Sequence, residues 1–211
     1  MKKYNFKKDG FTIIRKAIDP KIADFVYNYF LMKKQVTETF FKSRYISPFE
    51  ESWGILGDIQ CPKTYSHYAD IAMELLLLQT LPTVEKNVKL KLNPTYSYAR
   101  VYTQGDELKR HTDRYSCEIS ATVNLGGSMW PIYIDPTGKQ GQAGIKVDLK
   151  PGDMLIYKGD KLEHWREKFN EQTCVQVFLH YNNKLLENKD NIFDRRPHLG
   201  LPAWFKGFKF T

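Results

Sequence analysis

Hydrophobic positions along the chain fall into two textures. Up to about residue 87 they recur at helical spacing; from about 88 to 183 they come in short runs broken by Gly, Pro, Asn and Asp. "DGFTIIRKAIDP" reads as a short strand and a turn. "DPKIADFVYNYFLMKK" follows, with apolar residues at 22, 25, 26, 29 and 30, a helical period. Asp19 suits the N-cap and Pro20 the first helical position, where the missing N–H is harmless. Residues 35–62 read as loop, with Pro48, Gly54, Gly57 and Pro62. "YSHYADIAMELLLLQTLPTVEKN" is a second helical pattern, predicted to carry His67 and to end near Pro82.

The later runs are "VKLKLNPTYSYARVYTQG", "CEISATVNLGG", "MWPIYIDPTG", "AGIKVDLKPGDMLIYKGD" and "CVQVFLHYNN". They are rich in β-branched and aromatic residues, as strands are. Strands at this spacing predict a sandwich or a jelly-roll barrel. The expected fold is therefore mainly β with supporting α-helices. One domain over 1–211 is expected: an N-terminal strand and helical support (1–87), a β core (88–183) and an irregular, basic, aromatic tail (184–211). Internal repeats are absent.

Composition narrows the class. At 42% hydrophobic and 27% charged, the chain is of ordinary globular make-up. Its most apolar run, "IAMELLLLQTLP", is too short to span a bilayer and contains Glu74. The N-terminus lacks an apolar stretch of signal-peptide length, so a cytoplasmic protein without membrane attachment is expected. Cys61, Cys117 and Cys174 are far apart and odd in number, which argues for free thiols and against a cysteine zinc site. The net charge of +8 sits at the two ends, with six Lys/Arg and one Asp in 1–16 and six Lys/Arg and three acids in 184–211. A neutral body with basic ends lacks the stripe a nucleic-acid groove shows, so nucleic acid is not the expected partner.

The candidate chemistry lies in "KRHTDRYSCEISATVNLGG", residues 109–127. His111 and Asp113 are two apart, and on an extended segment both side chains face one way. An imidazole and a carboxylate on one face can grip a small cation. Of the other histidines, His67 falls in the predicted helix, His180 mid-strand and His198 in the tail. His164 follows a turn-strand-turn unit, and in a jelly roll it can fold back opposite His111. Two histidines and one carboxylate on one face leave three open positions, the facial triad of non-heme Fe(II) oxygenases. His180 reads as a packed or hydrogen-bonded strand residue.

With those residues in place, "ARVYTQGDELKRHTDR…SATVNLG…LKPGDMLIYKGDKLEHWRE" resembles the iron- and 2-oxoglutarate-dependent dioxygenases, in their prolyl 4-hydroxylase-like branch. The likeness covers about residues 95–182. It implies a double-stranded β-helix, with Fe(II) bound by His111, Asp113 and His164 as the catalytic centre. It implies conversion of 2-oxoglutarate and O2 to succinate and CO2, coupled to hydroxylation of a C–H bond, with ascorbate as supporting reductant. Asp113 favours hydroxylation, because halogenases of this fold lack the carboxylate.

In that family a Lys or Arg about ten residues after the distal histidine binds the far carboxylate of 2-oxoglutarate. Here that neighbourhood, Gln172 to Gln176, holds no cation. Arg166, two residues past His164, can make a bidentate carboxylate pair. Tyr102 stands nine residues before His111, where the family often has a co-substrate tyrosine. Arg100 and Tyr98 share its face. Asn124, with Ser120 and Thr122, gives the next strand a polar face suited to an occupied cavity, and Thr173 or Gln176 can add a hydrogen bond.

The resemblance makes a peptidyl proline the leading substrate and a peptide or protein the expected partner. A small metabolite, a free amino acid or a nucleic-acid base are the alternatives, and a non-oxidative cupin-like metal protein is the rival class. The segment 40–60 reads as a lid over the barrel mouth. Trp53, Trp130 and Trp165 are placed outside the core, and the tail aromatics Trp204, Phe205, Phe208 and Phe210 are expected to pack on the body.

Overall fold

The computed structural model describes residues 3–139, 141–185 and 189–208; Phe210 lies outside them. A short helix α1 (Phe6–Asp9) and strand β1 (Phe11–Ile14) precede the long helix α2 (Pro20–Lys42). Strands β2 (Ile55–Leu56) and β3 (Tyr65–Tyr68) lead to helix α3 (Ile71–Val88). Eight strands follow: β4 (Leu92–Thr103), β5 (Leu108–His111), β6 (Ile119–Gly127), β7 (Ile132–Ile134), β8 (Ile145–Val147), β9 (Met154–Lys158), β10 (His164–Arg166) and β11 (Thr173–Asn183).

These eight wind between two antiparallel sheets. The larger runs β1-β9-β6-β11-β4-β3-β2 and the smaller β5-β10-β7-β8. The chain passes from one sheet to the other and back, which is the jelly-roll course that the strand spacing predicts. Alternation along each strand divides the large sheet into two chemically different faces. On β11, Val175, Val177, Leu179 and Tyr181 join Ala99, Val101, Ala121 and Val123 in the core under the helices. Cys174 and Phe178 point the other way, between the sheets, with Tyr102 and Trp130.

The helices differ from expectation in extent. Asp19 caps α2 through Lys21 N–H (2.7 Å), with Pro20 in the first turn. The helix continues to Lys42, so the first part of the segment expected as loop is helical. Its buried positions are Ala23, Val26, Phe30 and Thr37, whereas Ile22 and Phe25 face solvent. The stripe that meets the sheet is therefore rotated from the one that the apolar spacing suggests. Asp70, not an earlier residue, caps α3 through the N–H groups of Ala72 and Met73. His67 consequently lies on β3 rather than on a helix. Pro82 does not end α3, which runs on to Val88. Leu78, whose carbonyl loses its helical partner, is on the exposed face, where water can take that partner's place.

Trp130 is buried between the sheets, against Tyr102 and Phe169, not outside the core. The tail is fastened to the body by ion pairs. Asp194 receives Arg114 through two nitrogens (2.9 and 2.6 Å), Lys206 Nζ (2.6 Å) and the Tyr68 hydroxyl (2.7 Å). Arg196 donates to Glu74 Oε1 at 2.6 Å, and both side chains are buried. Phe193, Asp194 and Arg195 all take left-handed backbone angles (φ 54°, 55° and 69°), an uncommon run for residues with a Cβ. Among the described residues no helix is long and apolar enough to cross a membrane.

Candidate metal centre

Strands β5 and β10 are neighbours in the small sheet, and their register sets His111 directly opposite His164. Cross-strand partners share a face, so the two imidazoles meet, with ring centroids 4.3 Å apart. Asp113 lies just beyond β5, where its N–H donates to the Gly159 carbonyl at 2.8 Å. Its Oδ1 stands 3.6 Å from His111 Nε2 and 3.5 Å from His164 Nε2. One ligand atom from each of the three lies within 4.8 Å of the others.

The tautomers follow from the backbone. His111 Nδ1 is 2.7 Å from the Lys109 carbonyl, and His164 Nδ1 is 3.0 Å from the Leu162 carbonyl. A carbonyl only accepts, so each Nδ1 carries a proton, which leaves Nε2, the nitrogen facing Asp113, as the atom that can ligate a metal once it gives up its own proton. Both strands use the same device, a carbonyl two residues upstream.

The other carboxylate oxygen is held too. Ser120 Oγ is 2.9 Å from Asp113 Oδ2 and 3.0 Å from His180 Nδ1. With the serine proton given to the carboxylate, His180 Nδ1–H donates to the hydroxyl, completing a relay of three side chains. His180 is buried against the Tyr96 ring, centroids 4.5 Å apart, and burial lowers its pKa to about 4, so it is neutral. Gly159 closes the arrangement: a Cβ there would approach Asp113 Oδ2 to 2.7 Å and collide with the Cys117 carbonyl and Ser120 Oγ.

Charge is balanced around the carboxylate. Burial alone would raise the Asp113 pKa, but His164 and His111 outweigh it and hold the carboxyl well below its usual range. Burial opposes protonation of His111, yet Asp113 and the Lys109 carbonyl raise its pKa on balance. A second grouping, Asp113, Cys117 and His180, is also within ligand distance. There, burial and then Asp113 push the Cys117 thiol far up, and it pairs with the Tyr96 hydroxyl at 3.0 Å, so it remains a protonated thiol and a poor ligand.

A cavity of about 480 Å³ opens over the three side chains, with Tyr157, Phe178 and Arg100 in its walls. Ile55, Asp58, Ile59 and Gln60, which precede the jelly roll, form its roof. Arg100 is buried and fully engaged, by Asp58 Oδ2 (2.7 Å), Gln60 Oε1 (2.7 Å) and Tyr102 Oη (3.2 Å). Burial works against its charge, but Tyr102, Tyr98 and Asp58 more than restore it.

Arg166 differs. It is fully buried beside Cys174, Tyr102 and Tyr157, and burial lowers its pKa. One guanidinium nitrogen, Nη1, donates to the Trp130 carbonyl, while Nε and Nη2 have no partner. Three other predicted residues are occupied locally. Asn124 Nδ2 donates to the Leu149 carbonyl at 2.7 Å and its Oδ1 accepts from Gly126 N–H at 3.0 Å. Gln176 Nε2 contacts Cys174 Sγ at 3.1 Å. Tyr102 is buried, its hydroxyl on Arg100. Asn124, Gln176, Tyr102 and Arg166 are not among the residues lining the cavity.

Sequence reasoning did not identify Gly159, Asp58 or Gln60, and it set His180 aside. The available signal for His180 was alternation: it shares its face of β11 with Gln176 and Phe178.

No family model matches the sequence, and no curated protein is similar to it at a significant level. Solved structures are similar in fold. A prolyl-4-hydroxylase of Pseudomonas putida aligns with a TM-score of 0.58 at 12% identity, covering 85% of this chain and 95% of that one. HygX of Streptomyces hygroscopicus, with nickel, 2-oxoglutarate and hygromycin B bound, aligns at 0.61 and 14%, covering 85% of each chain. An oxidoreductase of the 2OG-Fe(II) oxygenase family from Burkholderia pseudomallei aligns at 0.60 and 10%, covering 90% and 91%. At these identities the likeness is one of fold: the chain is built as the 2OG-Fe(II) oxygenases are built.

Proposed function

We propose that the protein is an Fe(II)- and 2-oxoglutarate-dependent dioxygenase that hydroxylates a C–H bond, with a peptidyl proline as the leading target. The observation that carries this reading is the convergence of two Nε2 atoms and one carboxylate oxygen on one cavity wall, each group fixed by a hydrogen bond to its other polar atom. Two imidazoles and one carboxylate are a donor set suited to Fe(II). When bound, iron with 2-oxoglutarate and O2 supplies the oxidation: one oxygen atom goes to the substrate carbon, the other to succinate, and CO2 leaves.

The chain's own residues prepare that chemistry. His111 Nε2, Asp113 Oδ1 and His164 Nε2 would hold the metal. The Ser120–His180 relay keeps Asp113 Oδ1 free of other partners. Arg166 stands behind the cavity wall beside Tyr157, and we assign it the distal carboxylate of 2-oxoglutarate, in place of the cation absent near residue 174, on condition that this wall opens to admit it. Its two unpartnered nitrogens are what a carboxylate would satisfy, and it lies beside Cys174 itself. Arg100, engaged by Asp58 and Gln60, has less to offer an incoming anion. Tyr157 and Phe178 give the cavity apolar walls that limit water near the reacting carbon.

HygX, which shares the fold, was solved with a small molecule, hygromycin B, so a small-molecule substrate is the second reading. Ascorbate is the expected supporting reductant, and the protein is expected to work in the cytoplasm.

Anaerobic equilibrium dialysis tests the binding half. One Fe(II) per chain and iron-dependent retention of 2-oxoglutarate are expected. Failure of the wild-type protein to retain iron would contradict the proposal.

A further inference from the structure

Apolar side chains are exposed at unusual density just outside the metal cavity. Tyr45, Phe49, Trp53, Leu56 and Ile59 are 76, 91, 39, 46 and 102% exposed within one stretch of fifteen residues. Such clusters mark interaction surfaces. Here the stretch is shaped. Residues 44–48, after the end of α2, and β2 enclose an open groove of about 830 Å³, lined by Phe41, Tyr45, Ile46, Pro48 and Leu56. Ile55 lines both this groove and the metal cavity, so the two are continuous through one side chain.

The groove runs beside a sheet edge. β2 is the last strand of the seven-stranded sheet and pairs only with β3 among the described residues. Gly57 N–H donates to the Thr64 carbonyl at 2.9 Å. In an antiparallel ladder hydrogen-bonded and open positions alternate, so Leu56, next to Gly57, turns its N–H and C=O outward. An outward donor and acceptor on an edge strand are a template for one more strand. Arg44 is the one charged side chain lining the groove, and it makes no side-chain hydrogen bond or ion pair among the described residues.

We infer that β2 and its groove dock an extended peptide, which pairs its backbone with Leu56 and places apolar side chains against Tyr45, Pro48 and Leu56. The target residue enters the metal cavity past Ile55. The inference rests on the dioxygenase reading for what happens to the peptide, but not for its binding. Arg44, the one charged side chain lining the groove, favours an acidic residue at the groove end. A free amino acid or a nucleobase would leave the groove empty.

The test uses the full-length protein without added metal and the fluorescein-labelled hexapeptide Glu-Val-Val-Pro-Val-Val. A twin peptide is N-methylated at alternate valines, which removes backbone donors while keeping the apolar surface. Fluorescence anisotropy is expected to show saturable binding of the first peptide and at least tenfold weaker binding of the twin. Leu56→Pro, which deletes the outward N–H, is expected to weaken the first peptide at least tenfold, and Leu56→Glu likewise. Arg44→Ala is expected to weaken it severalfold, and not to affect a peptide with Gln in place of Glu. No binding by the wild-type protein, equal binding of the twin, or binding unchanged in both Leu56 variants would overturn the inference. Because these readings need no iron, failure here leaves succinate formation to judge the dioxygenase reading separately.

Discussion

Asp113 and Gly159 are locked face to face: the aspartate N–H donates to the glycine carbonyl at 2.8 Å, and a Cβ on the glycine would stand 2.7 Å from Asp113 Oδ2. The glycine is thus a steric condition for the carboxylate's position. Gly159→Ala should push apart the Cys117 carbonyl, Ser120 Oγ and the Asp113 carboxylate, and so displace Asp113, while leaving the strands paired. Iron dialysis should show at least a tenfold loss of affinity, with the far-ultraviolet circular dichroism spectrum unchanged.

Ser120→Ala removes the bridge between Asp113 and His180 and leaves the second carboxylate oxygen without its donor. Loss of such a supporting hydrogen bond typically lowers metal affinity about 10–100-fold. The same dialysis measures it, and Ser120→Thr, which keeps the hydroxyl, should recover most of the affinity.

Arg166 and Arg100 should respond in opposite ways to removal of charge. Arg166→Met deletes a buried cation with two unsatisfied nitrogens, so the melting temperature should hold or rise while 2-oxoglutarate binding falls. A hydrogen bond to a charged group contributes about 1.5–3 kcal/mol, so the loss should be roughly tenfold or more. Arg100→Met strands Asp58 in a half-buried site and should lower the melting temperature. Thermal melts beside 2-oxoglutarate titrations separate the two.

Asp194 fastens the tail, and its pKa is lowered well below the usual carboxylate range. Burial acts against this, but Arg114 and Lys206 outweigh it. A carboxyl whose pKa is lower folded than unfolded stabilises the fold above its unfolded pKa of about 3.9. That contribution is lost as pH falls below about 4 towards the folded value. Asp194→Asn should therefore destabilise by about 1–3 kcal/mol at pH 7. The gap between variant and wild type should narrow below about pH 4, as urea unfolding at several pH values would reveal.

The grouping of His111, Asp113 and His164 was legible because its logic is local. His111 and Asp113 are two residues apart at a strand end, and His164 opens the strand that pairs with it, so alternation and strand order nearly suffice. The jelly-roll course was legible for the same reason: the strands are short, apolar and punctuated. What remained hidden depends on distant residues. Gly159 matters because the Cys117 carbonyl, Ser120 Oγ and the Asp113 carboxylate all crowd the place its Cβ would take. Ser120 and His180 are sixty positions apart and meet through sheet register. Asp58 and Gln60 fall within the segment read as a lid, but nothing in a sequence says that Arg100 will claim them. Pro82 misled because a proline inside a helix costs a hydrogen bond and a clash without always ending it; here the freed carbonyl belongs to exposed Leu78.

The central claim is that His111, Asp113 and His164 hold an iron that drives 2-oxoglutarate turnover. The most direct measurement is succinate formed from 2-oxoglutarate with Fe(II), ascorbate and air, before any prime substrate is added, with His111→Ala beside it. Slow, iron-dependent succinate is expected from the wild-type protein, and none above background from the variant. Equal succinate from both, or none from a wild-type protein that binds neither Fe(II) nor 2-oxoglutarate, would contradict it.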